Sequence, residues 1–283
     1  MYEPPRFAES GAQGIAFLFR GHEREWVNMR EDGSRLRSTA VEDLDRRIES
    51  GALPPVVAVM PGLASANNHV PSLGIDMVGQ WERRHRGLGT GRFWQYLTTE
   101  LIPAVEVAYG SAVGAERLAA GFSLGGYTVS LLAVSRPGYL THAGVYDGLF
   151  MWPGHRDPRS NAKGACTDSV WGRSPIFDGA LGNPRDPAAM TDWNPADLLA
   201  RVNPDTLDAI RRTSFFVMSA PDDGTSGNVD RAHGFVELLL RHGVAIISDR
   251  VVFDPHARHS WHWTDRFLAT FLREALGAVA EPR

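Results

Sequence analysis

Leu118-Ala119-Ala120-Gly121-Phe122-Ser123-Leu124-Gly125-Gly126-Tyr127 is the stretch that decides how this chain folds. Arg117 to Gly121 reads as a short buried strand, and the apolar residues from Leu124 to Val134 suit a buried helix. A serine flanked by glycines in the pattern G-x-S-x-G therefore falls at an abrupt strand-to-helix turn. Such a turn forces the serine into strained backbone, and the glycines remove Cβ atoms that would collide. Chance alone would supply about 0.1 such pentapeptides in a chain of this composition. The strand–turn–helix setting lifts the match above coincidence and makes Ser123 a candidate nucleophile.

Outward from this turn, short apolar runs alternate with amphipathic stretches. Strands are expected at 15–19, 56–60, 117–121, 142–146, 214–218 and 245–253. Helical spacing marks Val41, Leu44 and Ile48, a helix from Phe93 to Val105 interrupted or bent near Pro103, Val229 to Leu240, and a C-terminal helix around Phe267–Leu272. Strands alternating with helices imply a mostly parallel sheet covered on both faces, in one domain. Residues 63–91 read as a long loop region. Residues 149–205, rich in Pro, Gly, Asn and Trp with little periodicity, read as an irregular insertion near the functional face.

Composition narrows the function classes. The chain has 283 residues, 43% hydrophobic and 22% charged, with a net charge of −4. That is the profile of a globular protein with a full-sized core, and it carries no basic field for nucleic acid or an anionic membrane. The single cysteine, Cys166, forms no intramolecular disulfide, and no catalytic base signature surrounds it. Neither a signal-peptide pattern nor an apolar run of membrane-spanning length is visible, so a cytoplasmic location is expected. No metal or other cofactor is called for.

A serine hydroxyl becomes nucleophilic through a base, and the base is oriented by an acid. On a scaffold of this kind the chain order is Ser, acid, His. After the strand at 214–218 the sequence runs Met218-Ser219-Ala220-Pro221-Asp222-Asp223-Gly224, offering Asp222 or Asp223. After the run at 245–253, three histidines compete: His256, His259 and His262. Their spacing of three invites a metal reading, which no HExxH pattern or cysteine pair supports. Developing negative charge on a substrate oxygen needs two donors. The backbone N–H of Leu124 is one, and Gly21 or His22 in the loop after the first strand is the other. Trp26, Trp152 and Asn67 are candidate substrate contacts, against the plainer roles of core filling for tryptophan and turn formation for asparagine.

Several segments together resemble the esterase D-type family of α/β-hydrolases, which includes S-formylglutathione hydrolases, feruloyl and carbohydrate esterases, and the mycolyltransferases. The segments are Phe17-Leu18-Phe19-Arg20-Gly21-His22 through Trp26, Gly51-Ala52-Leu53-Pro54-Pro55 through Pro61, Tyr96-Leu97-Thr98-Thr99-Glu100-Leu101-Ile102-Pro103, Ala120 through Tyr127, and His259-Ser260-Trp261. They run from about residue 15 to 272, with 149–205 least covered. Arg20 and Leu124 depart from the family pattern, where histidine and methionine are frequent. The resemblance implies an α/β-hydrolase fold and a serine carboxylesterase working through an acyl-enzyme on a small-molecule ester. It favours His259, which matches the family's HSW histidine, and Asp223, the second of an Asp-Asp pair. An acyltransferase of the same fold and a non-catalytic binding scaffold are the competing readings.

Overall fold

The computed structural model describes residues 1–21, 26–27, 38–65, 72–78, 90–152, 154, 180–182, 185–221 and 228–277. Its centre is a five-stranded parallel sheet in the order β2-β1-β3-β4-β5, built from β1 (Ala12–Phe19), β2 (Val56–Val59), β3 (Val113–Phe122), β4 (His142–Tyr146) and β5 (Ser214–Met218). Side chains alternate across each strand, and both sets are buried. Ile15, Phe17, Phe19, Val57, Ala119, Val145, Phe215 and Val217 enter one core. Ala16, Leu18, Val56, Ala58, Leu118, Ala120, Tyr146, Phe216 and Met218 enter the other. Continuous apolar strands in the sequence are thus the mark of a sheet with no wet face.

Helices cover both sides. The first two are α1 (Phe7–Ser10) and α2 (Ala40–Glu49), the latter opened by a capping box between Thr39 and Glu42. The helix expected to be interrupted or bent near Pro103 changes pitch just ahead of it. It passes from α3 (Phe93–Gln95) through a π-helical segment (Tyr96–Leu101) into α4 (Ile102–Tyr109). Proline has no N–H and its ring crowds the carbonyl four residues back, and a wider turn relieves both problems. Helix α5 (Leu124–Ser135) is buried at every position from Leu124 to Val134, as a helix apolar all round must be.

Two expectations change. Part of the region read as irregular, 149–205, is helical: it holds α6 (Pro187–Asp192) and α7 (Pro195–Ala200) and ends at the start of α8 (Pro204–Ile210). Each begins with Asp or Asn as N-cap followed by Pro, in Asp186-Pro187, Asn194-Pro195 and Asn203-Pro204. Those dipeptides read as loop signals in sequence, yet they are equally the start signal of a helix. The expected strand at 245–253 is reduced to two isolated bridges, Ile246 to Phe215 and Val252 to Ser219. Between the bridges five residues on one side face three on the other, so the excess bulges out, and the Ser248 hydroxyl bonds the Val217 N–H and C=O in place of a backbone partner.

The chain ends on α9 (Asn228–Arg241) and α10 (Trp261–Leu276). Helix α10 lies on β4 at Gly144, where a Cβ would come within 2.8 Å of the Phe271 ring. Cys166, Trp81, Trp171, His22, Asn67, Asp222 and Asp223 lie outside the described residues.

Asn194 joins α6 to α7 and ties both to Trp152. Fully buried, it caps the Ala196 N–H and donates to Trp152 O at 3.1 Å and Asp197 Oδ2 at 2.8 Å. Asn194→Ala should therefore cost about 2 kcal/mol, the upper range for a cap, read as a fall in Tm of several degrees by thermal unfolding.

Candidate active site

Parallel register fixes where the chemistry can sit. Gly121 of β3 lies beside Phe19 of β1, Phe122 beside Tyr146 of β4, and Tyr146 beside Met218 of β5. Past the carboxyl ends of these strands, one lateral row therefore brings Gly21, Ser123, Asp147 and Ser219 together. The strand order reverses between β1 and β3, and open α/β sheets place their ligand crevices outside such a switch point.

Ser123 carries the strain expected of a nucleophile at a sharp turn, with φ 54° and ψ −115°. Its N–H donates to Tyr146 O at 3.2 Å, and its carbonyl accepts from Gly126 N at 3.0 Å and Leu149 N at 2.9 Å. The surrounding glycines are each required by contact. A Cβ on Gly121 would lie 2.2 Å from Gly125 O, and one on Gly125 would lie 2.2 Å from Phe19 O and 2.7 Å from Arg20 O. Helix α5 thus begins directly against the end of β1. Leu124 N–H opens that helix, among the first-turn donors that have no acceptor within the helix. Gly21 is buried alongside, where a Cβ would touch the Phe122 ring at 3.0 Å.

Of the three candidate histidines, His259 reaches this row. Its ring packs on Phe122, the residue before Ser123, with centroids 4.5 Å apart, and its Nδ1 meets Asp147 Oδ2. The His259 side chain keeps 38% exposure while that of Asp147 keeps 4%, so the acid is sealed and the base opens toward solvent. A carboxylate only accepts, so Nδ1–H donates and Nε2 is left as the proton acceptor. His256 is exposed, with its backbone N–H on Asp254 Oδ1, and His262 sits in the first turn of α10 beside Trp263.

The carboxylate that meets His259 among the described residues is that of Asp147, just past the end of β4; Asp223, expected beyond β5, lies outside them. Asp147 adopts φ 46°, a left-handed conformation that Asp tolerates better than most residues. Its own N–H donates to Met218 O at 2.8 Å, its carbonyl accepts from Asn228 Nδ2 at 3.3 Å, and Oδ1 accepts from Ser219 Oγ at 2.5 Å. The signal in the sequence was Tyr146-Asp147-Gly148, an acid and a glycine closing a buried strand.

Tyr146 completes the support. Its ring stacks on Phe122 at 5.9 Å and its hydroxyl donates to Arg258 O at 2.8 Å, so adjacent residues of β4 hold adjacent residues of the histidine loop. Burial pushes the Tyr146 phenol well above its ordinary range, so it remains a donor throughout the working pH range. Trp26, a candidate substrate contact, is instead core: it is 1% exposed, donates Nε1–H to Phe19 O at 3.0 Å, and meets Trp261 edge-on at 5.1 Å. Trp152 packs against Gly234 of α9, where a Cβ would lie 2.3 Å from its ring. Among the described residues, no group of three His, Cys, Asp or Glu side chains is placed to hold a metal ion. No helix among them is long and apolar enough to cross a membrane.

Comparison with known proteins agrees with this geometry. Residues 2–207 match the family model described as "Putative esterase". No curated protein matches the chain. Among solved structures, an S-formylglutathione hydrolase from Agrobacterium tumefaciens superposes with a TM-score of 0.64 at 16% identity, covering 98% of this chain and 88% of that one. A ferulic acid esterase gives 0.63 at 16% identity over 96% and 88%. MPT51 of Mycobacterium tuberculosis gives 0.56 at 15% identity over 95% and 91%. At these identities the likeness shows the fold, and the family match adds the chemistry: the chain belongs to the "Putative esterase" family and is an ester hydrolase with an α/β-hydrolase fold.

Proposed function

We propose that the protein hydrolyses small carboxylic esters through a triad of Ser123, His259 and Asp147. The observation that carries this reading is the contact of His259 Nδ1 with the buried carboxylate of Asp147, one strand from the strained Ser123. Ser123 Oγ attacks the ester carbonyl while its proton passes to His259 Nε2. Asp147 holds the imidazole in the tautomer that leaves Nε2 free and stabilises the imidazolium as it forms. Negative charge builds on the carbonyl oxygen, and the N–H groups of Leu124, the residue after Ser123, and Gly21, its neighbour in the row, are the donors assigned to it. His22, whose N–H was the other candidate, lies outside the described residues. Preorganised donors of this kind contribute about 10²–10³ each in rate.

The imidazolium then returns its proton to the leaving alcohol. Water enters, loses a proton to His259, and attacks the acyl-enzyme, which restores Ser123 as the acid product departs. The reading makes no use of a cofactor. The acyl group and alcohol of the natural ester are set by the pocket walls, and Trp152 and Asn67 stay candidates for that contact. We expect a cytoplasmic setting, with which the single cysteine agrees.

Labelling with a fluorophosphonate should reach one equivalent per chain and vanish in Ser123→Ala; labelling that survives in that variant would remove Ser123 from the mechanism. On a short p-nitrophenyl ester, Asp147→Asn should lower kcat by about 10³–10⁴, the cost of losing a triad acid. Asp223→Asn and His256→Ala should stay near the parent rate. A large loss in Asp223→Asn with Asp147→Asn active would return the acid to the loop after β5. Tyr146→Phe removes one hydroxyl from the anchor of the histidine loop. It should cost about 1 kcal/mol of stability in denaturant unfolding.

A further inference from the structure

Beyond the triad, we infer that Ser219 is a positioning residue that orients the Asp147 carboxylate for His259; this rests on the triad reading above. Ser219 stands at the end of β5, in the row position next to Asp147, and is completely buried. Its hydroxyl donates to Oδ1 at 2.5 Å while His259 occupies Oδ2, so each carboxylate oxygen has its own partner. With one oxygen bonded, a carboxylate turns freely about its Cβ–Cγ bond. With both bonded, the torsion is fixed and Oδ2 is presented to the imidazole.

Ser219 is itself held from both sides. Its N–H donates to Val251 O at 2.7 Å, and its carbonyl accepts from Phe253 N at 3.0 Å. These bonds come from the bulged segment that leads into the histidine loop. On the far side of Asp147, Asn228 grips the backbone carbonyl, and Arg231 donates to Asn228 Oδ1 at 3.0 Å. The acid is thereby fixed at side chain and main chain by elements that also set the path of residues 251–259. A hydroxyl suits this seat better than a second charge. It donates to the buried carboxylate without adding a charge that the site would have to neutralise.

Ser219→Cys keeps nearly the volume and removes the strong donor, while Ser219→Thr keeps the donor. The expected result is a fall in kcat of about tenfold in Ser219→Cys and Ser219→Ala, the worth of one hydrogen bond to a charged group. KM should move less than about twofold, and Ser219→Thr should recover most of the rate. In an Asp147→Asn background, Ser219→Cys should cost nothing further, because two residues acting through one contact are non-additive. Parent-like kcat in Ser219→Cys, or an undiminished further loss in the double variant, would overturn the inference. If Asp147→Asn alone kept its activity, the triad reading would fail first, so the two failures are distinguishable.

Discussion

The structure depends on one backbone hydrogen bond at the carboxyl edge of the sheet, from Ser123 N–H to Tyr146 O at 3.2 Å. It continues the β3–β4 register by one residue beyond the last paired strand positions. That single step carries Ser123 out of β3 with positive φ and sets Asp147 beside it, also with positive φ. Two strained residues on neighbouring strands are stable together because the surrounding sheet over-determines them. Asp147 N–H bonds Met218 O, and the carbonyl of Ser123 is shared by Gly126 and Leu149.

From that edge the support spreads in both directions. Toward β1, Gly125 lets α5 approach Phe19 and Arg20 closely, which brings Gly21 up to Ser123. Toward β5, Ser219 and the bulged segment lock the carboxylate and aim the chain at His259. An aromatic floor made of Phe122, Tyr146 and Trp261 holds the imidazole, with Phe122 lying 5.1 Å from Trp261. Rigid strands and rings, rather than loop contacts alone, give the site its geometry, as a preorganised catalytic centre requires.

Much of this was legible in the sequence. Buried parallel strands announce themselves as unbroken apolar runs, and the glycine-flanked serine marks a turn that few backbones can make. What remained hidden depended on pairing between distant segments. Whether an acid at the end of β4 or one beyond β5 meets His259 is a question of lateral register, which local pattern does not encode. Residues 245–253 read as one strand because apolar residues stand on both sides of Ser248-Asp249-Arg250, yet the mismatch with β5 that makes the segment bulge exists only once the two are aligned. Asn194-Pro195 and its two counterparts carried a helix-start signal that resembles a loop until the residues after proline are seen to bury a face. Trp26 gave no local sign of choosing core over pocket, since its partner Trp261 is 235 positions away in the chain.

The central claim is that Asp147 holds the Nδ1 proton of His259. Proton NMR of the intact protein tests it directly, through the low-field imidazole resonance of a histidine bonded to a carboxylate. The account predicts that this resonance is present in the parent protein and in Asp223→Asn, and is lost in Asp147→Asn and His259→Ala. A resonance that persists in Asp147→Asn and disappears in Asp223→Asn would contradict it.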